Sequence, residues 1–583
     1  MKQPTFLIIG AGSRGTAYAR AITTSTNGRI GAVAEPHAYK RKLLGETYIW
    51  GSDKQSKEGE EFEGWQEWIA YEKRRRERLK KPNANGDGKP GVDGVLVCTL
   101  DETHIAILTA IANAGFMDLH ILCEKPLALS LDDCLSVYAS WTKTSNPSTH
   151  SPSQLQIHQE NGVKSKPHPR SIFSIGHVLR YSPHNLTLRR LVREEKVIGD
   201  IVSIEHTEPV GHWHFAHSYV RGNWRRETGI GDGSLLTKSC HDVDFLMWMV
   251  ECPVYGSSSG TADGAGAGEG ERKLALRSIS STGHLSQFTP SRKPPAAGNT
   301  TNCISCPTEV ERGCMYSAIR IYRDDQLRKG ETGWPVNIVC PDIEDYLDFT
   351  PNNTNGSIEN SNGDGEISIS KRAEDHLLHT LSQNYNTTTP DDEIKRRPWY
   401  GRCVYESDND VVDDQVVTLA WDDLTHSHSS STSTASNSKK KNPPGVTATL
   451  HMTAPTKSQC VRRGRIYGTT GEVIYTSSQI TIHDFNSGTT RVIQIPKQPP
   501  EEEKAHGGGD YGLARGFVSA VDKVLNGGWS VEAAQRMYVG GTLEEIVRSH
   551  GVVFGAEESR RMEEVVRWQG WWGGKLGEFG IEA

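Results

Sequence analysis

Short apolar runs alternate with helical patterns over the first quarter of the chain. The runs are FLII at 6–9, GRIGAVAEP at 28–36, GVLVCTL at 94–100 and HILCEKP at 120–126. Runs that are apolar at nearly every position are typical of parallel strands covered by helices on both faces. Helices are predicted at His104–Ala114 and from Leu131, with Ser130 as the cap of the second. The alternation predicts an α/β domain with a doubly wound parallel sheet at 1–150 and a polar insertion at about 51–92.

The pattern changes after residue 170. Strand-like IFSIGHVLRY and IVSIEHTEP flank a helical pattern that ends near Gly199. Later strand-like runs are VVTLAW at 416–421, VTATLHMTA at 446–454, RIYGTTGEVIY at 465–475 and RVIQI at 491–495. Gly-Thr and Asn-Ser-Gly turns between them indicate a mostly antiparallel sheet. We therefore predict a second α/β domain at 170–525 and C-terminal helices at 526–583.

Composition narrows the class of protein. Three tracts at 256–270, 352–365 and 427–443 contain too few apolar residues to form a core, and we interpret them as loop insertions. A net charge of −7 provides no basic surface for nucleic acid. No run approaches the ~18 apolar residues that span a bilayer. Glycines interrupt the apolar N-terminus and no cleavage site follows, so a signal peptide is not predicted and the expected location is cytoplasmic.

A glycine-rich turn carries the most specific chemistry. Its three glycines have the spacing G-x-G-x-x-G directly after an apolar strand, and an acidic residue ends the next apolar run. In this context the first glycine permits a tight turn, the second admits phosphates, and the third lets the helix pack on the strand. The alternative is a glycine-rich turn of another βαβ unit. The predicted dinucleotide-binding residues are Gly10, Gly12, Ser13, Arg14, Gly15 and Glu35.

The choice between the nicotinamide cofactors depends on Glu35. A carboxylate at this position accepts from both ribose hydroxyls and repels a 2′-phosphate, which favours NAD. Lys40 and Arg41 follow closely and are cations that suit a phosphate, so NADP remains the alternative.

Two lysines and a histidine are the candidate catalytic residues. Lys125 ends a late strand of the first domain, where ligands bind in open α/β sheets; the alternative is a surface lysine in a turn. Lys238 and His241 lie three residues apart, which puts them on one face of a predicted helix. An imidazole beside a cation suits proton transfer from an alcohol, whereas a structural histidine is the alternative.

The segment GHWHFAHSYVRGNWR at 211–225 is rich in histidine, aromatic residues and arginine. His212, His214 and His217 suggest a metal site, because residues two apart share one face of a strand, but no carboxylate or cysteine joins them at ligand spacing. A polar pocket for a sugar-like or anionic ligand fits the composition better, and an edge strand at an oligomer interface is the alternative. The candidate substrate-binding residues are Arg180, His214, Tyr219, Arg221, Trp224 and Asp242.

Two further motifs remain. Among eleven cysteines, Cys303, Cys306 and Cys314 have a spacing that suits zinc, but no fourth ligand lies in their segment. We therefore expect them to be reduced and metal-free. HGGGD at 506–510 precedes a helical pattern, where it folds over the site or places Asp510 as a helix cap.

These motifs together resemble the Gfo/Idh/MocA family of nicotinamide-dependent oxidoreductases. The residues that carry the resemblance are GAGSRG with Glu35, TLDETH at 99–104, CEKPLALS at 123–130 and SCHDVDFLMW at 239–248. The resemblance implies a Rossmann domain, a C-terminal domain whose open sheet face forms homo-oligomers, and hydride transfer between NAD(P) and a sugar, polyol or related small molecule.

The resemblance also implies roles for single residues. Thr99, His104 and Glu124 would border the cofactor, Lys125 would hold the reacting oxygen, and His241 would be the acid/base. The chain departs from the family pattern at Thr237, where an aspartate is common, and at Leu100, where a proline is common. The first departure makes Lys238 a candidate partner of His241. An NAD-dependent glycosidase and a catalytically silent nucleotide sensor, both known in the family, are the alternative functions.

Overall fold

The computed structural model describes residues 1–80, 91–142, 170–227, 233–253, 272–347, 371–425 and 445–581. The three predicted loop insertions lie largely or wholly outside these ranges. Among the described residues, no helix is long and apolar enough to cross a bilayer.

The first sheet has six parallel strands in the order β3-β2-β1-β4-β5-β6. Its central strands are apolar and fully buried because helices cover both faces. The strands are β1 Thr5–Ile9, β2 Arg29–Ala34, β3 Glu61–Phe62, β4 Gly94–Val97, β5 His120–Cys123 and β6 Phe173–Ile175. The helices between them are α1 Ser13–Ser25, α2 Ala38–Tyr48, α3 Trp65–Leu79, α4 His104–Asn113 and α5 Leu131–Thr142. The predicted doubly wound domain is confirmed.

Strand β6 extends this sheet beyond the predicted boundary at residue 150, since it pairs with β5. The C-terminal helices also contact the first sheet. The Gln535 amide accepts from the Phe173 N–H at 3.0 Å and donates to the Phe173 carbonyl at 2.8 Å. Helix α15, Gly509–Asn526, also packs on the first domain, with the Phe517 ring 5.5 Å from the Phe6 ring. The two ends of the chain therefore share one core.

The second sheet has nine strands in the order β14-β13-β12-β11-β7-β10-β9-β8-β15. One pair, β7 with β10, is parallel and the others are antiparallel, as predicted. Residues of β9 are alternately buried and half-exposed, so one face packs against helices and the other stays open. The strands are β7 Ile201–Pro209, β8 Leu274–His284, β9 Asp414–Asp423, β10 Val446–Thr453, β11 Arg463–Gly468, β12 Gly471–Thr476, β13 Gln479–Asp484, β14 Thr490–Gln494 and β15 Val566–Arg567.

The described helices of the second half pack on the second sheet, on the first domain or within the chain between β8 and β9. They are α6 Pro183–Arg189, α7 His212–Phe215, α8 Ser234–Thr237, α9 Cys240–Val250, α10 Thr308–Gly313, α11 Val336–Val339, α12 Lys371–Ser382, α13 Asp391–Arg396, α14 Pro500–Lys504, α15 Gly509–Asn526, α16 Val531–Ala534, α17 Leu543–Met562 and α18 Trp568–Glu578. Helix α7 continues as a π-helical turn, Ala216–Arg221, so the strand interpretation of this segment is wrong. In α18, Trp568 is buried and stacks on Trp572 with ring centroids 5.0 Å apart.

The chain between β8 and β9 forms a separate layer, which we call the β8–β9 insertion. Its described residues are 285–347 and 371–413. They contain α10 to α13 and a core of their own that includes Tyr322, Val336 and Leu377. This core also packs against Trp213 at the start of α7.

Candidate active site

The glycine-rich turn has the geometry that its motif predicts. Gly10 has φ +96°, and a Cβ there would lie 2.7 Å from the Cys98 carbonyl oxygen. A Cβ at Gly15 would lie 2.0 Å from the Gly10 carbonyl oxygen, so α1 packs on β1 only without a side chain. At Gly12 no atom lies within 4 Å of such a Cβ. This open space next to the N-terminus of α1 fits a dinucleotide pyrophosphate.

Glu35 ends β2 beside this turn. Its carboxylate accepts from the Ala11 N–H and the His37 N–H, each at 2.8 Å. Arg41 donates to the Glu35 carbonyl oxygen at 2.6 Å and forms an ion pair with Glu61 at 2.9 Å. The carboxylate therefore lies where a ribose would bind, and the nearest candidate phosphate ligand is already engaged with another acid.

Arg14 lies in the first turn of α1, but its guanidinium turns toward protein groups. It pairs with Glu124 at 2.8 Å and with Asp510 at 2.8 Å, and it donates to the Tyr18 hydroxyl at 2.9 Å. Neighbouring Ser13 is exposed. Arg14 therefore links the glycine-rich turn to Glu124, the residue after β5, and to α15.

The predicted helix-capping role of Asp510 is wrong. Helix α15 begins after Gly508, which has φ +85°, and no side chain caps it. The Asp510 carboxylate instead accepts from Arg14 and from His506 Nδ1 at 3.1 Å.

His104 and Thr99 shape the adjacent loop. The buried His104 ring lies between two carbonyl oxygens, with Nδ1 2.8 Å from that of Pro126 and Nε2 3.2 Å from that of Thr99. This arrangement ties the loop after β4 to the loop after β5. Thr99 also lies beside Gly10, because its Cγ2 is 3.1 Å from the position of a Cβ on that glycine.

Lys125 emerges from the carboxyl end of β5, and its Nζ donates to the Thr237 carbonyl oxygen at 2.7 Å. This bond joins the end of the first sheet to the short helix before His241. The Trp224 ring lies 6.0 Å from Lys125 Nζ, and its indole N–H donates to Asp101 at 2.9 Å. Lys125 therefore contacts residues of the second half of the chain from the end of the first sheet.

His241 begins α9 and lies close to a second histidine. Its Nδ1 is 3.5 Å from Nδ1 of His177, whose other nitrogen is 4.0 Å from Asp244. Burial, followed by the Lys125 ammonium, holds the pKa of His241 well below its usual range. Burial also lowers the pKa of His177 to about 3. Both rings are therefore neutral near pH 7.

Lys238 does not share a helical face with His241, because α8 ends at Thr237 and α9 starts at Cys240. Its Nζ lies 3.0 Å from Cys460 Sγ and 3.6 Å from Glu208. Lys238 is therefore not the partner of His241, and Lys125 is the foremost cation that lowers the His241 pKa. Burial and then Lys238 hold the pKa of His214 well below its usual range, and His214 Nδ1 is 3.6 Å from the same thiol.

Asp242 belongs to a buried network of acids and bases. Arg462 donates to Asp242 at 2.9 Å and to Glu208 at 2.7 Å, and His206 Nε2 is 2.7 Å from Asp242. Burial opposes ionisation of Asp242, but Arg462 holds its pKa well below the usual value. Burial raises the pKa of Glu208. Asp242 is thus inaccessible to substrate and orients the start of α9.

Three other predicted substrate-binding residues are also buried. Arg180 donates twice to Asp244, both bonds at 2.7 Å, which makes it a support of the His177 site. Tyr219 stacks between Phe215 and Trp224, at 5.0 and 5.7 Å. Arg221 is 1% exposed and faces the β8–β9 insertion. Only His214 and Trp224 of the predicted set lie half-exposed next to Lys125 or Lys238.

Sequence reasoning missed His177, Asp244, Glu208 and Arg462. Two of them carried a usable signal, because His177 follows β6 at the carboxyl edge of the first sheet and Asp244 lies two residues beyond Asp242 in α9. Glu208 and Arg462 lie in or just before strands of the second sheet and carry no motif. Among the described residues, no three His, Cys, Asp or Glu side chains are already arranged around a point that could hold a metal ion.

Comparison with known proteins agrees with this geometry. Residues 5–149 match the family model described as "Oxidoreductase family, NAD-binding Rossmann fold". Inositol 2-dehydrogenase 1 of Saccharopolyspora erythraea is 48% identical over 52 residues, which are 9% of this chain and 14% of that enzyme. The chain therefore spans only a small part of the curated relative that it matches.

Solved structures extend the likeness to both domains. The crystal structure of an oxidoreductase from Agrobacterium radiobacter, in complex with NAD+, L-tartaric acid and magnesium, superposes with a TM-score of 0.50 at 10% identity. The match covers 98% of this chain and 100% of that one, so the two share the fold. A protein from Sinorhizobium meliloti described as a "putative myo-inositol dehydrogenase" superposes with a TM-score of 0.46 at 12% identity, covering 97% of this chain and 99% of that one. Residues 5–149 thus match the NAD-binding Rossmann domain of the Gfo/Idh/MocA family of oxidoreductases, and the likeness to solved structures extends to the fold of the whole chain.

Proposed function

We propose that this protein is an NAD-dependent dehydrogenase or reductase that acts on a hydroxyl or carbonyl carbon of a small polyol, inositol or sugar. The observation that carries the proposal is the meeting of Lys125 with the His241 segment at the carboxyl edge of the first sheet. The Lys125 ammonium is hydrogen-bonded to Thr237 at 2.7 Å and acts electrostatically on His241. The glycine-rich turn opens at the same edge.

The two residues divide the work on the alcohol. When bound, NAD would supply the hydride acceptor, and the N-terminus of α1 and the Glu35 carboxylate are the groups that would hold it. The Lys125 ammonium donates a hydrogen bond to the reacting oxygen and stabilises negative charge that develops on it. The neutral His241 ring accepts the hydroxyl proton. With its own proton on Nδ1, His241 donates to His177, which leaves Nε2 free as the base.

A group of buried side chains behind His241 positions this base. Arg180 holds Asp244 at 2.7 Å, and Asp244 lies 4.0 Å from His177 Nε2. The three residues are buried, so they hold the ring without reaching substrate. Arg180 and Asp242 are accordingly proposed as positioning residues rather than as substrate ligands.

The polar and aromatic lining supports a polyhydroxylated ring as substrate. His214 and Trp224 offer a hydrogen-bonding group and a stacking surface near the two lysines. Trp334 of the β8–β9 insertion is 39% exposed, and its ring lies 5.1 Å from that of His214. An inositol dehydrogenase is also the curated relative that part of the chain matches.

Three further properties belong to this proposal. NAD is preferred over NADP because Glu35 would face a 2′-phosphate and Arg41 is paired with Glu61. The open face of the second sheet is the proposed homo-oligomer interface. The protein is placed in the cytoplasm, with a small molecule as its partner.

A substrate screen tests the proposal. The purified chain is offered NAD with inositols, linear polyols and free sugars, and NADH formation is followed together with nucleotide binding. We expect stoichiometric NADH with at least one of these compounds. Nucleotide binding without turnover would assign a silent sensor. Release of free sugar from glycosides with no net NADH would assign the glycosidase.

A further inference from the structure

The fold brings a fourth cysteine, Cys403, next to the segment that carries Cys303, Cys306 and Cys314. Asn302 and Arg402 form an antiparallel bridge, with the Cys303 N–H donating to Gly401 at 2.8 Å and the Cys403 N–H donating to Thr301 at 2.9 Å. Alternate residues of paired strands share a face, so Cys303 and Cys403 lie on the same side of this pairing. The missing ligand thus comes from a segment about a hundred residues further along the chain.

The other two cysteines close on the same place. The Cys306 N–H donates to the Cys303 carbonyl oxygen at 3.3 Å, which makes a tight turn. Helix α10 then leads back to Cys314. Cys314 and Cys403 both pack against one apolar cluster that includes Tyr316 and Tyr405, so the loop from Cys303 to Cys314 returns to the segment that carries Cys403.

Arg221 lies at the centre of the three cysteine-bearing segments. Its guanidinium donates to Cys303 Sγ at 3.4 Å, to the Arg402 carbonyl oxygen at 2.6 Å and to the Tyr316 carbonyl oxygen at 2.7 Å. Arg221 is 1% exposed, and its Nη1 is buried with no hydrogen-bond partner in the described chain. No carboxylate within the described residues forms an ion pair with it.

A buried cation without an anion is costly, because burial removes its hydration. Neutral thiols do not compensate it, whereas four thiolates on a divalent ion carry a net charge of −2. We propose that Cys303, Cys306, Cys314 and Cys403 bind one zinc ion as thiolates and that Arg221 donates to this centre. Binding displaces one proton from each thiol and involves no redox change. Zinc fits because a closed set of four sulfur ligands is typical of structural zinc sites.

The metal-free arrangement stops short of a finished site, since the sulfur atoms do not yet surround one point. Binding of the ion would rotate the four cysteine side chains so that their sulfur atoms surround it. Through Arg221, the zinc centre would link the β8–β9 insertion to the end of the helical segment His212–Arg221, which carries His214. The site is independent of the proposed reaction and acts on the fold.

Elemental analysis of protein purified under reducing conditions and reconstituted with Zn²⁺ tests this inference. We expect one zinc per chain, lost in Cys306→Ser and in Cys403→Ser. Cys340→Ser is the matched control, because this buried thiol lies in the same insertion and bonds to Thr380 at 3.5 Å; it should keep its zinc.

X-ray absorption of the wild-type protein keeps the test decisive if a variant fails to fold. Four sulfur neighbours at about 2.3 Å from zinc are expected. Iron in place of zinc, oxygen or nitrogen ligands in the first shell, or no stoichiometric metal after reconstitution would overturn the inference. Zinc retained by both the Cys306 and the Cys403 variants would also overturn it.

Discussion

Arg14 and Asp510 form a two-point ion pair, with Nη1 to Oδ2 and Nη2 to Oδ1 both 2.8 Å, across 496 positions of the chain. Asp510 is 2% exposed in its side chain and Arg14 26%. Because Arg14 also pairs with Glu124, one guanidinium links the glycine-rich turn, the end of β5 and the first turn of α15. The glycine-rich turn is thereby held in place by a helix from the C-terminal part of the chain.

Asp510→Asn should destabilise the protein by on the order of 2 kcal/mol. This is less than the usual cost of breaking a buried pair, because Glu124 still neutralises part of the Arg14 charge. Urea unfolding measures the change, and Asp522→Asn on the same helix is the control, with an expected change below about 1 kcal/mol. Arg14→Met separates this structural role from cofactor binding. If the substitution costs more free energy of NAD binding than free energy of unfolding, Arg14 contacts the cofactor directly, as its motif predicts.

Glu35→Ala should narrow the preference for NADH over NADPH, because it removes the acceptor for the ribose hydroxyls and the charge that repels a 2′-phosphate. Calorimetric titration of both nucleotides measures the ratio of affinities. Glu77→Ala, an exposed acid on α3, should leave that ratio unchanged. Tighter binding of NADPH than NADH to the wild-type protein would contradict the assignment.

His241→Ala should lower kcat by about 10²–10⁴ on the substrate found by screening, since general base catalysis contributes about that factor. NAD affinity should stay nearly constant because the ring lies on the substrate side. Lys125→Met should reduce kcat at least as much. His284→Ala, an exposed histidine at the end of β8, serves as the control. Near-wild-type turnover of His241→Ala would make Lys125 or Lys238 the proton acceptor.

His177 should make the protein less stable in mild acid. Its folded pKa is lowered to about 3, whereas an unfolded histidine titrates near 6.5, so the unfolded state binds the extra proton first. The contribution is complete above about pH 6.5 and is lost as the pH falls, by about 2 kcal/mol between pH 7 and pH 5.

Unfolding of His177→Asn measures this contribution. Its free energy of unfolding should fall by about 2 kcal/mol less than that of the wild type over the same interval. His284→Asn should follow the wild type, because its ring is exposed. Equal pH slopes for His177→Asn and the wild type would show that another group carries the effect.

Local patterns predicted much of the architecture. The apolar runs become β1, β2, β4 and β5, and the later alternating runs become strands of the second sheet. These features are legible in sequence because residue type decides strand or helix propensity and side-chain burial over a few neighbours. The helical form of 212–221 was missed, since histidine, aromatic and arginine residues show no clear period there.

The glycine turn could be predicted from sequence because its requirement is local. Gly10 needs a positive φ, and Gly15 needs the absence of a Cβ, whatever the rest of the chain does. The position of Lys125 directly after β5 and of His241 in the first turn of α9 could be predicted as well, since each follows from a local strand or helix pattern. Their catalytic roles stay predictions.

Only the tertiary structure decided how the charged residues pair. Arg14 meets Asp510, Arg180 meets Asp244, and Arg221 meets the cysteine segments, so three arginines expected at ligands serve the protein instead. His177 next to His241 and Cys403 next to Cys303 likewise come from distant parts of the chain. Such pairs depend on how whole sheets and helices dock, and the burial that gives them their strength does not exist in the separate segments.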